Sequence, residues 1–128
     1  MLKTSPKEVE FMENSDLRQR SKDLAIRIFA IWDNIDTKRG CGVLVNQIIR
    51  SSTSIGANLH EAKYAKSTAD FINKMEIALK ECYETEYWLE ILFKVNSIDE
   101  NAYKQLINKC GTIRRMLFAS IKTTKNKA

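Results

Sequence analysis

The stretch from Gln47 to Ala62 places its apolar residues at helical period, and this restricts the fold more than any other feature of the chain. Together with Leu44 just before it, Ile48, Ile55, Leu59 and Ala62 recur at offsets of three, four and seven, so they share one face of a helix. Beside them runs a polar stripe, Gln47, Arg50, Ser54, Asn58 and Glu61, spaced three, four, four and three. Solvent faces are ordinarily rich in Lys and Glu. This one uses short amides and hydroxyls with one Arg and one Glu, groups able to bond to one another and to a neighbouring helix. A third face, Ser52, Thr53, Gly56 and Ala57, is small enough for another backbone to come close. A helix with partners on three sides belongs at the centre of a bundle.

The rest of the chain agrees with an all-α fold. Among 128 residues there are four Gly and one Pro, Pro6, and period-two alternation with turn dipeptides is missing. The length suits one domain with a real core. No apolar run reaches the length of a membrane span, and the N-terminus lacks the pattern of a signal peptide. Cys41, Cys82 and Cys110 are odd in number and far apart, as expected of reduced thiols in a cytoplasmic protein.

Four helices are expected, with a flexible leader over 1–14 and one bundle domain over 15–122. Asn14 or Ser15 can cap the first helix, whose stripe is Leu17, Leu24, Ile28, Ile31 and Ile35. Two glycines near 40–42 separate it from the second, which spans about Val43 to Tyr64. Ser67 with Asp70 opens the third, which runs to about Val95 with Phe71, Met75, Ala78, Cys82, Leu89 and Phe93 as its core stripe. A second apolar stripe, Ile77, Trp88, Ile91 and Val95 with Tyr87 alongside, gives that helix more to bury than one core provides. Ser97 with Glu100 forms the capping box of the fourth helix, and Tyr103, Leu106, Cys110, Ile113, Leu117 and Ile121 its core face. Residues 123–128 read as a mobile basic tail. Short connections make the whole an antiparallel up-and-down four-helix bundle.

Several of these segments match a family pattern in order and at family spacing. They are Gln47-x-x-Arg50, Ser54-Ile55-x-Ala57-Asn58-Leu59-x-Glu61-Ala62, Ser67-x-x-Asp70-Phe71, and Ala78-Leu79-Lys80-Glu81-x-x-Glu84-Thr85-x-Tyr87-Trp88-Leu89. With them the chain resembles the four-helix bundle proteins encoded by intervening sequences of bacterial 23S rRNA genes. It departs from the commonest family form at Ala62, where Gly is usual, and at Lys80-Glu81, where a Gly-Ser pair is usual. The resemblance implies a ring-like homo-oligomer, a pentamer. It also implies a distant likeness to the accessory protein of diversity-generating retroelements, and nucleic-acid binding by that analogy.

The net charge of +5 is unevenly placed. From Asn101 onward Lys104, Lys109, Arg114, Arg115, Lys122, Lys125 and Lys127 face no acidic residue in sequence, whereas Glu61 to Glu100 holds nine carboxylates against five lysines. The expected nucleic-acid surface is therefore Lys104, Arg115, Lys122, Lys125 and Lys127, repeated around a ring. The polar stripe, extended across the bundle to Glu81 and Glu84, is expected to fix helix register, with Arg50 buried and paired with Glu81 or Glu84 across the bundle or with Glu61 along the stripe. Gly56, Ile77, Trp88, Ile91 and Val95 are the expected subunit contact. No catalytic, cofactor or metal site is expected: Arg50 cannot release its proton, His60 is the lone His, and no phosphate-cradling glycine loop is present. The resulting expectation is a non-enzymatic, cytoplasmic homo-oligomer contacting RNA or DNA, with no membrane or small-molecule substrate. A protein scaffold without nucleic-acid binding is the alternative.

Overall fold

In the computed structural model, which describes the backbone of residues 6–35 and 40–127 and the side chains of 14–35 and 40–127, four helices account for most of the described residues. They are α1 (Pro6–Ala30), α2 (Cys41–Lys63), α3 (Thr68–Lys94) and α4 (Glu100–Lys127), with one short 3-10 turn, Trp32–Asn34, after α1. No strand occurs among the described residues. Each helix packs on its neighbour in sequence, most extensively α2 on α3, and α1 closes the arrangement against α4. The chain is an all-α four-helix bundle, and the organising helix of the sequence, α2, is one half of its largest helix–helix contact.

The core is one cluster. Leu17, Leu24 and Ile28 of α1 meet Val45, Ile48, Ile55 and Leu59 of α2; Met75, Ala78, Cys82, Leu89 and Leu92 of α3 meet Leu106, Cys110, Ile113, Leu117 and Ile121 of α4. On α3 the buried series is Met75, Ala78, Cys82, Thr85, Leu89, Leu92, alternating three and four residues. Phe93, expected in the core, is only partly buried and stacks on Tyr103 with ring centroids 4.4 Å apart. Thr85 interrupts the apolar pattern in sequence yet is fully buried. Its hydroxyl lies 2.8 Å from Ser51 Oγ and 2.8 Å from the Glu81 carbonyl, so it is hydrogen-bonded where it is dry. Buried Ser21 and Ser51 likewise return their hydroxyls to backbone carbonyls one turn back.

The helix ends differ from expectation at four places, the first being that α1 ends at Ala30 and passes into the 3-10 turn before the expected Ile35. α1 already runs at Pro6, a residue whose fixed φ and missing N–H suit a first helical position, and Asn14 lies inside it, accepting a hydrogen bond from Ser120 at 3.3 Å. The expected leader 1–14 is thus helical from Pro6, and residues 1–5 lie outside the described residues. At the fourth helix the cap is Asp99, whose Oδ1 accepts from the Ala102 N–H at 2.7 Å. Ser97 is buried instead, with its hydroxyl 3.0 Å from Cys41 Sγ. It is carried there by a Schellman turn at the end of α3: Asn96 takes a left-handed φ of 61°, and the Ser97 and Asn96 N–H groups bond to Leu92 and Phe93 carbonyls. Finally, α4 continues to Lys127, so 123–127 form helix rather than a tail, and Thr124 is buried. The Ser67–Asp70 cap is as read: Ser67 Oγ accepts from the Asp70 N–H at 3.1 Å.

Candidate functional site

On the polar face of α2, Arg50 reaches across to α3. Its guanidinium donates to Glu81 Oε2 at 3.4 Å, to Glu84 Oε1, and along its own helix to Gln47 Oε1 at 3.4 Å. Glu81 and Glu84 stand three residues apart on α3, so both face one turn of α2. Trp88 one turn on donates its indole N–H to the same Glu84 oxygen at 3.2 Å. The environments differ. Bonding to Arg50, then to Trp88, holds the Glu84 carboxyl below its ordinary range despite some burial. Burial raises that of Glu81, aided by the neighbouring Glu84 charge and only partly offset by Arg50. Arg50 is held more firmly protonated, chiefly by Glu84.

Arg50 itself is 49% exposed, which corrects the expectation that it is buried between helices. A long guanidinium stem lets the charge snorkel outward over the α2–α3 seam while its partners sit deeper. The remainder of the stripe divides. Asn58 Nδ2 donates to the Ser54 carbonyl at 2.9 Å and lies 3.1 Å from its hydroxyl. Glu61 does not join Arg50; it pairs with Lys74 of α3 at 3.1 Å. The stripe thus makes two separate α2–α3 ties.

The basic residues of α4 do not form one free surface. Lys104 pairs with Glu100 at 3.1 Å, Lys109 with Asp23 at 3.4 Å, Arg114 with Glu86 at 2.6 Å, and Lys125 with Glu76 at 2.7 Å. Carboxylates from α1 and α3 supply what the local sequence lacks. Exposed Arg115, Lys122 and Lys127 have no carboxylate partner among the described residues, and Arg115 donates to the Thr112 hydroxyl at 3.3 Å.

Of the expected subunit contact, Ile77, Trp88 and Ile91 are half-buried on α3, and Val95 is 49% exposed with Tyr87 exposed nearby. Trp88 already packs on the chain's own core. Gly56 is half-buried where α1 passes α2: a Cβ there would stand 3.8 Å from that of Ser21, an ordinary contact, so the position lies at a seam within the chain. The reading of the small face also missed what surrounds it. Arg18 and Lys22 of α1 and His60 and Lys63 of α2 gather at the same place. The signal in sequence was the four-residue spacing of Arg18 and Lys22, which only the pairing of α1 with α2 makes meaningful.

No group of three or more His, Cys, Asp or Glu able to hold a metal occurs among the described residues, and none of their helices is long and apolar enough to cross a membrane. The three cysteines are buried, free thiols. Cys82 is held neutral by its neighbour Cys110 and by burial, which suits a packing role.

Among solved structures, the chain is similar to a protein of unknown function of the S23 ribosomal protein family from Bacteroides thetaiotaomicron. The two are 40% identical, with a TM-score of 0.78 over 86% of this chain and 98% of that one. None of the curated proteins matches. The model of the family described as 23S rRNA-intervening sequence protein matches residues 13–119, which takes in α2, α3 and most of α1 and α4. With the bundle in place and that span matched, the chain belongs to the 23S rRNA-intervening sequence protein family.

Proposed function

We propose that this protein is a non-enzymatic, cytoplasmic homo-oligomer, a pentameric ring, that binds nucleic acid through a repeated basic surface. The observation that carries the reading is the trio Arg115, Lys122 and Lys127, exposed on α4 and without a carboxylate partner among the described residues while four other cations of that helix are paired. Cations without carboxylate partners are those that can exchange solution counterions for phosphates. Membership of a family described by its place in 23S rRNA supports RNA as the polymer. Lys104 and Lys125, expected on this surface, contribute less because Glu100 and Glu76 already hold them. Assembly fits the exposed Tyr87 and Val95 of α3, and a ring would multiply weak contacts into avidity.

The test is a titration of labelled RNA and DNA at several salt concentrations, with wild type and with Arg115→Glu combined with Lys122→Glu. Binding should fall steeply with salt and be lost in the double variant. A double variant that binds like wild type takes the contact away from α4, and a wild type that does not bind at low salt replaces this reading with the protein scaffold.

A further inference from the structure

A groove of about 500 Å³ runs between α1 and α2, in the size range of ligand-binding clefts. Its floor is made of small groups, Ser21, Thr53, Gly56 and Ala57, where α1 passes α2. Its walls carry four basic side chains, Arg18 and Lys22 from α1 and His60 and Lys63 from α2, and none of the residues lining it is acidic. Of these, Lys22 has no ion pair among the described residues, whereas its α1 neighbours Arg20 and Arg27 are paired with Asp16 and Asp23.

Hydrogen-bond donors remain in the groove as well. The hydroxyls of Ser21 and Thr53 are turned back to carbonyls of their own helices. Ser15, Gln19 and Lys22 make no side-chain hydrogen bond or ion pair among the described residues. At the rim stands Tyr64, 66% exposed, with the His60 ring edge-on at 5.4 Å and Lys63 Nζ 5.6 Å from its centroid. An exposed aromatic ring beside a cationic channel is the arrangement by which single-stranded nucleic acid is held: phosphates follow the charges and a base stacks on the ring.

We infer that the α1–α2 groove is a binding site for a single-stranded nucleic-acid segment, with Arg18, Lys22, His60 and Lys63 facing its phosphates and Tyr64 stacking a base. The kind of ligand rests on the nucleic-acid reading above; the site rests on other residues than the α4 surface. The small floor lets the strand lie close to the helices, and the donors of Ser15 and Gln19 add contacts that are indifferent to sequence.

The experiment uses the full chain. His60 is the only histidine, so its ring-proton NMR signals are an isolated reporter within the groove. A short single-stranded RNA at low salt should move them, and inorganic phosphate at matched ionic strength should move them less. In titrations with the same RNA, Lys22→Gln should make the log–log salt dependence shallower by about 0.7. Tyr64→Ser should weaken binding about fivefold or more. Ala57→Leu fills the floor without changing the charge and should also weaken binding. All three positions are exposed, so melting temperatures should stay at the wild-type value, which separates lost contacts from lost folding.

If the His60 signals stay still and these variants bind like wild type while Arg115→Glu with Lys122→Glu loses binding, the groove is overturned and the nucleic-acid reading stands. A wild type that binds no RNA removes both. If inorganic phosphate moves the signals as far as RNA and Tyr64→Ser changes nothing, the groove takes a small phosphate-bearing molecule and the strand proposal is overturned.

Discussion

Replacing Arg50 by Ala removes the shared counter-ion of two carboxylates, and the structure sets how much that costs. Glu81 and Glu84 are only 13% and 29% exposed, whereas Arg50 is 49% exposed. A fully buried pair broken on one side would cost about 3–5 kcal/mol. Here water reaches the guanidinium and screens the attraction, so two partly exposed pairs contribute about 1–2 kcal/mol together. For a chain of this size that lowers Tm by several degrees.

The pH dependence adds a signature. Glu84 is held below its ordinary value, so its contribution is present above about pH 4.5 and is lost as pH falls through its lower folded value. Glu81 is held above its ordinary value, so its ionisation in the folded protein opposes stability as pH rises through that region. Without Arg50, Glu84 loses its stabilisation and Glu81 rises further. The variant's deficit should therefore be largest at neutral pH and shrink as pH falls below about 4.5, where protonated carboxyls need no counter-ion. Thermal melts of wild type and Arg50→Ala between neutral and acid pH measure this. Equal melting temperatures at pH 7, or a deficit unchanged at pH 3, would refute the account of the cluster.

Other perturbations read other parts of the bundle. Thr85→Val keeps the shape but removes the hydroxyl beside Ser51, and should cost about 1 kcal/mol in urea denaturation, since Ser51 retains the Ile48 carbonyl. Leu89→Ala, at a wholly buried site, should cost about 3–5 kcal/mol by the same measurement. Asp99→Ala removes the cap of α4 and should cost about 1 kcal/mol, while Ser97→Ala should act through packing against Cys41 and not through the helix end. Val95→Glu, at a half-exposed position off the core, should yield smaller species in sedimentation with helical circular dichroism intact; an unchanged mass would remove α3 from the proposed subunit contact.

The number of helices and their apolar faces were legible in the sequence, because both depend on spacing along one helix, while the choice among Glu61, Glu81 and Glu84 as partners of Arg50 was not. Ile48, Ile55 and Leu59 are buried where their period puts them, and Arg50 meets Glu81 and Glu84 because both carboxylates lie one turn apart on the facing helix. Thr85 was harder to read, since a hydroxyl breaks an apolar stripe until Ser51 is seen to answer it. Which charges remain exposed and unpaired was decided only by the tertiary structure. α4 has no carboxylate of its own after Glu100, yet Asp23, Glu76 and Glu86 come to it from helices distant in sequence. At the groove, Arg18 and Lys22 come beside His60 and Lys63 only because α1 lies against α2. Local pattern fixes which face of a helix is buried; the electrostatic character of a surface depends on which helices meet there.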